Sequence, residues 1–103
     1  MADFEKVAML IISHAGEGKY KVRAAVEAFG NGNDEEFLKL MKEAEQEFKK
    51  AHKAQIEYLQ DLVVSEDTNT PILIVHAMDI LMCAMSEQEI VMALITAVNK
   101  RSG

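Results

Sequence analysis

At 103 residues the chain has the length of one domain, and residues 1–103 are assigned to a single helical domain. Half the residues are hydrophobic, only 6% are aromatic and there is one proline, a mix that suits Ala-, Leu- and Met-rich helices better than many short strands. A formal charge of −6 argues against a nucleic-acid binder, which needs a basic face, and equally against electrostatic attachment to an anionic membrane.

The single cysteine, Cys83, cannot form an internal disulfide and fits a reducing cytosol. Val7–Ile12 is apolar, but Asp3 and Glu5 precede it, so it does not read as an export signal. The longest near-apolar stretch, Ile72–Met85, spans 14 residues and carries a histidine and an aspartate. That is short of the ~20 residues that cross a bilayer, so the chain is expected to be soluble and cytoplasmic.

In chain order, the first element shows apolar residues at Phe4, Val7, Ile11, Ala15, Val22, Ala25 and Phe29, a stripe with the helical period. Gly16 and Gly18 lie inside it, where each costs about 1 kcal/mol relative to alanine. A close approach by another helix, a phosphate or a partner would offset that cost. Gly30-Asn31-Gly32-Asn33 then breaks the pattern. Asn33, with Glu36 three residues on, fits a capping box for the second helix, with Asp34 as the alternative cap.

The second helix repeats the stripe with Phe37, Met41, Ala44, Phe48, Ala51, Tyr58 and Leu62, while Lys39, Lys42, Glu43, Glu45, Glu47, Lys49 and Lys50 form a solvated surface. The stretch from Ser65 to Pro71 is the second break; Thr70 can cap a third helix with Pro71 in its first turn. Ser86-Glu87-Gln88-Glu89 also has a capping-box pattern and could open a fourth helix. With no glycine or proline before Ser86, one continuous helix is preferred.

From Ile72 to Met85, 12 of 14 residues are apolar and fall on every side of the third helix. Such a helix must be buried all round, and two partner helices cover only part of it. The remainder is an exposed apolar surface, which marks an interface. A homo-oligomer with the third helix innermost follows.

His76 and Asp79 interrupt that run. They stand about 60° apart and one turn along. The bland reading is a buried histidine bonded to the aspartate or to a carbonyl. Against it, both residues are costly to bury, and both fall where an interface must form. A neutral imidazole is a good nucleophile near neutral pH and can attack an activated phosphorus in line. There is no glycine-rich phosphate loop, no G-x-S-x-G elbow and no E-x-x-H pair. His14 reads as packing near the apolar stripe, at the rim of a crevice holding His76. Cys83 and the seven methionines read as core filling.

The run Pro71 … Val75-His76-Ala77-Met78-Asp79-Ile80-Leu81-Met82 resembles the H-A/G-Q-D-H-L-M signature of the lactose/cellobiose-type enzyme IIA of the bacterial sugar phosphotransferase system. Ala15-Gly16-Glu17-Gly18-Lys19 is similar to that family's A-G-x-A-R, and Ala51-His52-Lys53-Ala54-Gln55 to its A-H-x-x-Q. The three motifs occur in order across nearly the whole chain.

The resemblance implies an up-down-up three-helix subunit assembling as a nine-helix homotrimer. It implies that His76 accepts phosphate from the general histidine phosphocarrier protein and donates it to a cysteine of enzyme IIB. Gly16, Lys19, His52 and Gln55 would support the phosphate crevice, and Asp79 from three subunits would hold a magnesium ion on the axis. Met78, Ile80, Lys19 and Tyr20 stand where the family has glutamine, a second histidine, arginine and a small serine. Two other classes are a histidine-phosphotransfer relay domain and a purely structural trimeric bundle. The relay domain usually carries a lysine where this chain has Asp79; the structural bundle would use His76 and Asp79 only for register.

Overall fold

A tight turn sets the geometry of the first two helices. In the computed structural model, which describes residues 3–65 and 70–102, α1 spans Asp3–Gly30, α2 Asp34–Ser65 and α3 Ile72–Ser102. At the end of α1 the Asn33 N–H donates to the Ala28 carbonyl and the Gly32 N–H to that of Phe29, while Gly32 adopts φ +77°. This is the Schellman arrangement, whose left-handed residue favours glycine. Asn33 then caps the next helix, its Oδ1 accepting from the Glu36 N–H at 3.1 Å. One four-residue cluster therefore ends α1 and starts α2.

The two helices run antiparallel, so that Phe29 meets Phe37, Lys21 meets Glu43 and His14 meets Glu47. The apolar stripes read from the sequence form their seam. Ile11, Ala15, Val22 and Ala25 are buried against Phe37, Met41, Ala44, Phe48 and Ala51. The Phe29 and Phe37 rings close the turn end edge to face, with centroids 5.6 Å apart.

At Gly18 the helices approach closely: an added Cβ there would overlap the Phe48 ring. Gly16 has no such neighbour within 4 Å. The expected offset for a mid-helix glycine is therefore helix packing at Gly18 and something else at Gly16.

The break between Ser65 and Pro71 falls partly on residues 66–69, outside the described residues. α3 opens with the Pro71 carbonyl accepting from the N–H groups of Ile74 and Val75, and passes without interruption through Ser86. Among the described residues there is no fourth helix. The order is up-down-up. α3 packs chiefly on α1 and touches α2 little.

The 14-residue apolar count understates α3. It has 31 residues, and an 18-residue stretch within it has mean hydropathy 1.5, which by length and composition alone suffices to cross a membrane. Only 11% of that stretch is buried within the subunit.

Candidate functional site

Two stripes run along α3. Ile74, Ala77, Leu81, Ala84, Gln88, Val91 and Ile95 advance by alternating steps of three and four, and all are buried or half-buried. Ile72, His76, Asp79, Cys83, Ser86 and Ile90 advance by fours and threes on the opposite side, and all are exposed. Both have the spacing of a coiled-coil seam. Only the first is occupied within the subunit.

The uncovered seam meets α1 along one edge. There Ala15, Gly16 and Lys19 face His76, Asp79, Ile80 and Cys83 across an open crevice of about 290 Å³. The bare Cα of Gly16 keeps that wall low, which accounts for a glycine with no packing contact. His76 is exposed in the subunit, not buried as the bland reading requires. Among the described residues neither of its ring nitrogens makes a hydrogen bond, and Asp79 does not pair with it. An imidazole so placed has both nitrogens open to an incoming group.

Charge at the crevice comes from α1. The Lys19 Nζ lies 3.3 Å from Glu87 Oε2 on α3, and Arg23 Nη2 lies 3.7 Å from Glu87 Oε1. Arg23 is absent from the motifs read in the sequence, and Glu87 enters them only through the Ser86-Glu87-Gln88-Glu89 capping-box pattern, not as a group at the crevice. The signal was available: Glu87 lies eleven residues after His76, three turns along and about 20° round, and Arg23 is one turn beyond Lys19.

Gly16, Lys19, His76 and Asp79 are thus brought together, whereas His52 and Gln55 are not. His52 is exposed on α2 beside Phe48, Lys49, Met85 and Gln88, in a separate hollow. Gln55 is half-buried, and its Oε1 is buried without a hydrogen-bond partner among the described residues. His14 is not at the crevice rim either. Its Nδ1–H donates to Glu47 Oε1 at 2.8 Å across the α1–α2 seam, and this bond holds the Glu47 carboxyl below its ordinary range. Cys83 is exposed on the seam, so it does not fill the core.

Comparison with known proteins decides the family. Residues 6–99 match the profile described as PTS system, Lactose/Cellobiose specific IIA subunit. The chain belongs to this IIA family.

A curated relative, the lichenan-specific phosphotransferase enzyme IIA component of Bacillus subtilis (strain 168), is 34% identical over 98 residues, covering 95% of this chain and 89% of that one. The oligo-beta-mannoside-specific EIIA component of the same organism is 29% identical over 87 residues, with 84% and 79% covered.

Among solved structures, the cellobiose-specific enzyme IIA of Bacillus anthracis superposes with a TM-score of 0.87 at 25% identity, covering 99% of this chain and 94% of that one. PtcA from S. mutans gives a TM-score of 0.85 at 28% identity, with 94% and 97% covered. The chain is a IIA component of the lactose/cellobiose family of the phosphotransferase system, and the three-helix fold is the one these IIA proteins share. Where the IIA motif departs, Met78 is half-buried against the core, Ile80 lines the crevice and Tyr20 points to solvent.

Proposed function

We propose that His76 is the phosphoryl acceptor, charged by the general histidine phosphocarrier protein and discharged to a cysteine of enzyme IIB. The observation that carries this is the exposed, unbonded imidazole at an open crevice beside Gly16 and Lys19, in a chain of the IIA family. A ring nitrogen of His76 gives its lone pair to phosphorus. The bond from phosphorus to the donor's imidazole breaks, and its electron pair stays on the donor nitrogen. In the next step the IIB thiolate attacks, the phosphorus–His76 bond breaks, and the electron pair returns to His76. Neither step needs more from the protein than positioning and charge balance. Lys19 supplies the charge, as a single cation without arginine's fork.

The active form is a homotrimer with α3 innermost. Its uncovered seam has the spacing of a helix–helix contact and carries Ile72, Ile90, Val75 and Met82 exposed to water. Copies of this chain fit that seam better than lipid does, because Asp79 stands on it and a carboxylate is expensive inside a bilayer. The protein is therefore assigned to the cytoplasm, without membrane insertion.

On the seam Asp79 would meet its own copies. One chain offers a single carboxylate there, and no group of three His, Cys, Asp or Glu side chains gathers among the described residues. A magnesium ion fits only through symmetry, where three Asp79 carboxylates make an all-oxygen set and the cation neutralises their repulsion.

Similar proteins are named for lichenan, oligo-beta-mannoside and cellobiose, which supports an oligosaccharide as the transported sugar. Incubation with phosphoenolpyruvate, enzyme I, the phosphocarrier and this chain, followed by intact-mass measurement, tests the relay. A gain of one phosphoryl group that passes on when IIB is added supports it. No gain with competent donors favours a structural bundle.

A further inference from the structure

The crevice cation is not free. Lys19 lines the crevice that holds His76, yet its Nζ is held at 3.3 Å by Glu87, and Glu87 is also within 3.7 Å of Arg23. One carboxylate thus lies between two cations on successive turns of α1, of which only Lys19 borders the crevice. Asp79 adds a negative charge inside the crevice itself. A dianionic phosphoryl group on His76 would therefore arrive beside a carboxylate, with the nearest cation already neutralised.

We infer that Glu87 is a positioning residue acting through Lys19: it holds Lys19 off His76 in the resting protein and passes to Arg23 when phosphate occupies the crevice. This rests on His76 being the acceptor. The pairs are suited to exchange. The Lys19 and Glu87 side chains are 42% and 38% exposed, and solvent-exposed ion pairs are weak enough to break and re-form readily. Arg23 lies close enough to keep Glu87 paired while Lys19 turns, so the carboxylate is never left alone facing the phosphoryl group. The consequence is a phosphohistidine of intermediate stability: held by Lys19, but with Glu87 competing for that lysine, so that onward transfer is not trapped.

Glu87→Gln and Arg23→Gln then act in opposite directions. Glu87→Gln releases Lys19; Arg23→Gln leaves Glu87 wholly committed to it. The probe is inorganic phosphate, followed by the amide resonance of Gly16 in the full chain, together with the half-life of phosphohistidine on the labelled protein. Glu87→Gln should tighten phosphate and lengthen the half-life about two- to five-fold, the range expected for one exposed pair. Arg23→Gln should weaken and shorten them by a similar factor, Glu87→Asp should stay near wild type, and both glutamine effects should vanish in a Lys19→Gln background.

Effects of the same sign, effects that persist without Lys19, or a silent Glu87→Gln overturn the inference. If His76 takes label normally while Glu87→Gln is silent, the relay stands and the positioning role falls. If the phosphate shifts appear as expected but His76 takes no label, the ion-pair exchange stands and the relay falls.

Discussion

Gly16 and Gly18 are two residues apart on the same helix, yet they answer to different constraints. Gly18 lies under the Phe48 ring, and the ring is 2% exposed, so it has nowhere to retreat. Gly18→Ala should cost about 1–3 kcal/mol by overpacking, against which the gain in helix propensity is only about 1 kcal/mol. Gly16→Ala meets nothing within 4 Å and should stabilise by about 0.5–1 kcal/mol while narrowing the crevice. Thermal melts of the two variants should therefore move in opposite directions, by several degrees each.

The hydrogen bond from His14 to Glu47 adds a pH signature at the same scale. It holds the folded Glu47 carboxyl below its ordinary value of 4.5, so the folded state binds a proton there less readily than the unfolded chain. Its stabilisation is present above that ordinary value and is lost as pH falls through the lower, folded one. Glu47→Gln should lower stability by about 1–2 kcal/mol at pH 7, since a bond to a charged group is lost. The gap from wild type should close as pH falls through the lowered folded value, as melting curves on the acid side would record.

Among the elements, α1 and α2 were legible in the sequence because each buries one face against the other. Every stripe residue read for α2 is buried or half-buried, and the Gly30-Asn31-Gly32-Asn33 turn and the Asn33 cap follow from local chemistry that needs no distant partner. The continuity of α3 through Ser86 was legible for the same reason: nothing in the backbone there stops a helix.

Side-chain partners across helices were not legible. His14 selects Glu47, and Lys19 selects Glu87, on helices far apart in sequence, and no local pattern encodes which rotamer wins. His52 and Gln55 were grouped with the crevice through their motif, and within the subunit the rotation of α2 places them elsewhere. The two seams of α3 predict the behaviour of Asp79. Asp79→Leu replaces a carboxylate on the uncovered seam with an apolar side chain of the type flanking it, and should keep or raise thermal stability with the oligomer intact. If Asp79→Leu dissociated the trimer, a cation would be holding the subunits together instead of balancing their charge.

At the scale of the whole molecule the proposed trimer rests on what α3 leaves uncovered. The subunit's principal extents are 54 × 22 × 18 Å, and from Ile72 to Ile90, about 27 Å of helix, α3 leaves a seam of apolar and polar side chains uncovered. Light scattering at micromolar concentration should give the mass of three chains; a monodisperse monomer would remove the basis for a central α3.

The central claim is chemical, and the placement of His76 is what it depends on. An exposed imidazole with both nitrogens open tolerates replacement without loss of packing, so His76→Ala should fold, assemble and melt as wild type does. Labelling with radioactive phosphoenolpyruvate, enzyme I and the phosphocarrier tests the claim most directly. The wild type, His14→Ala and His52→Ala should each carry one acid-labile, base-stable phosphoryl group, and His76→Ala should carry none. Label retained on His76→Ala, or found on His14, His52 or Cys83, would contradict the account.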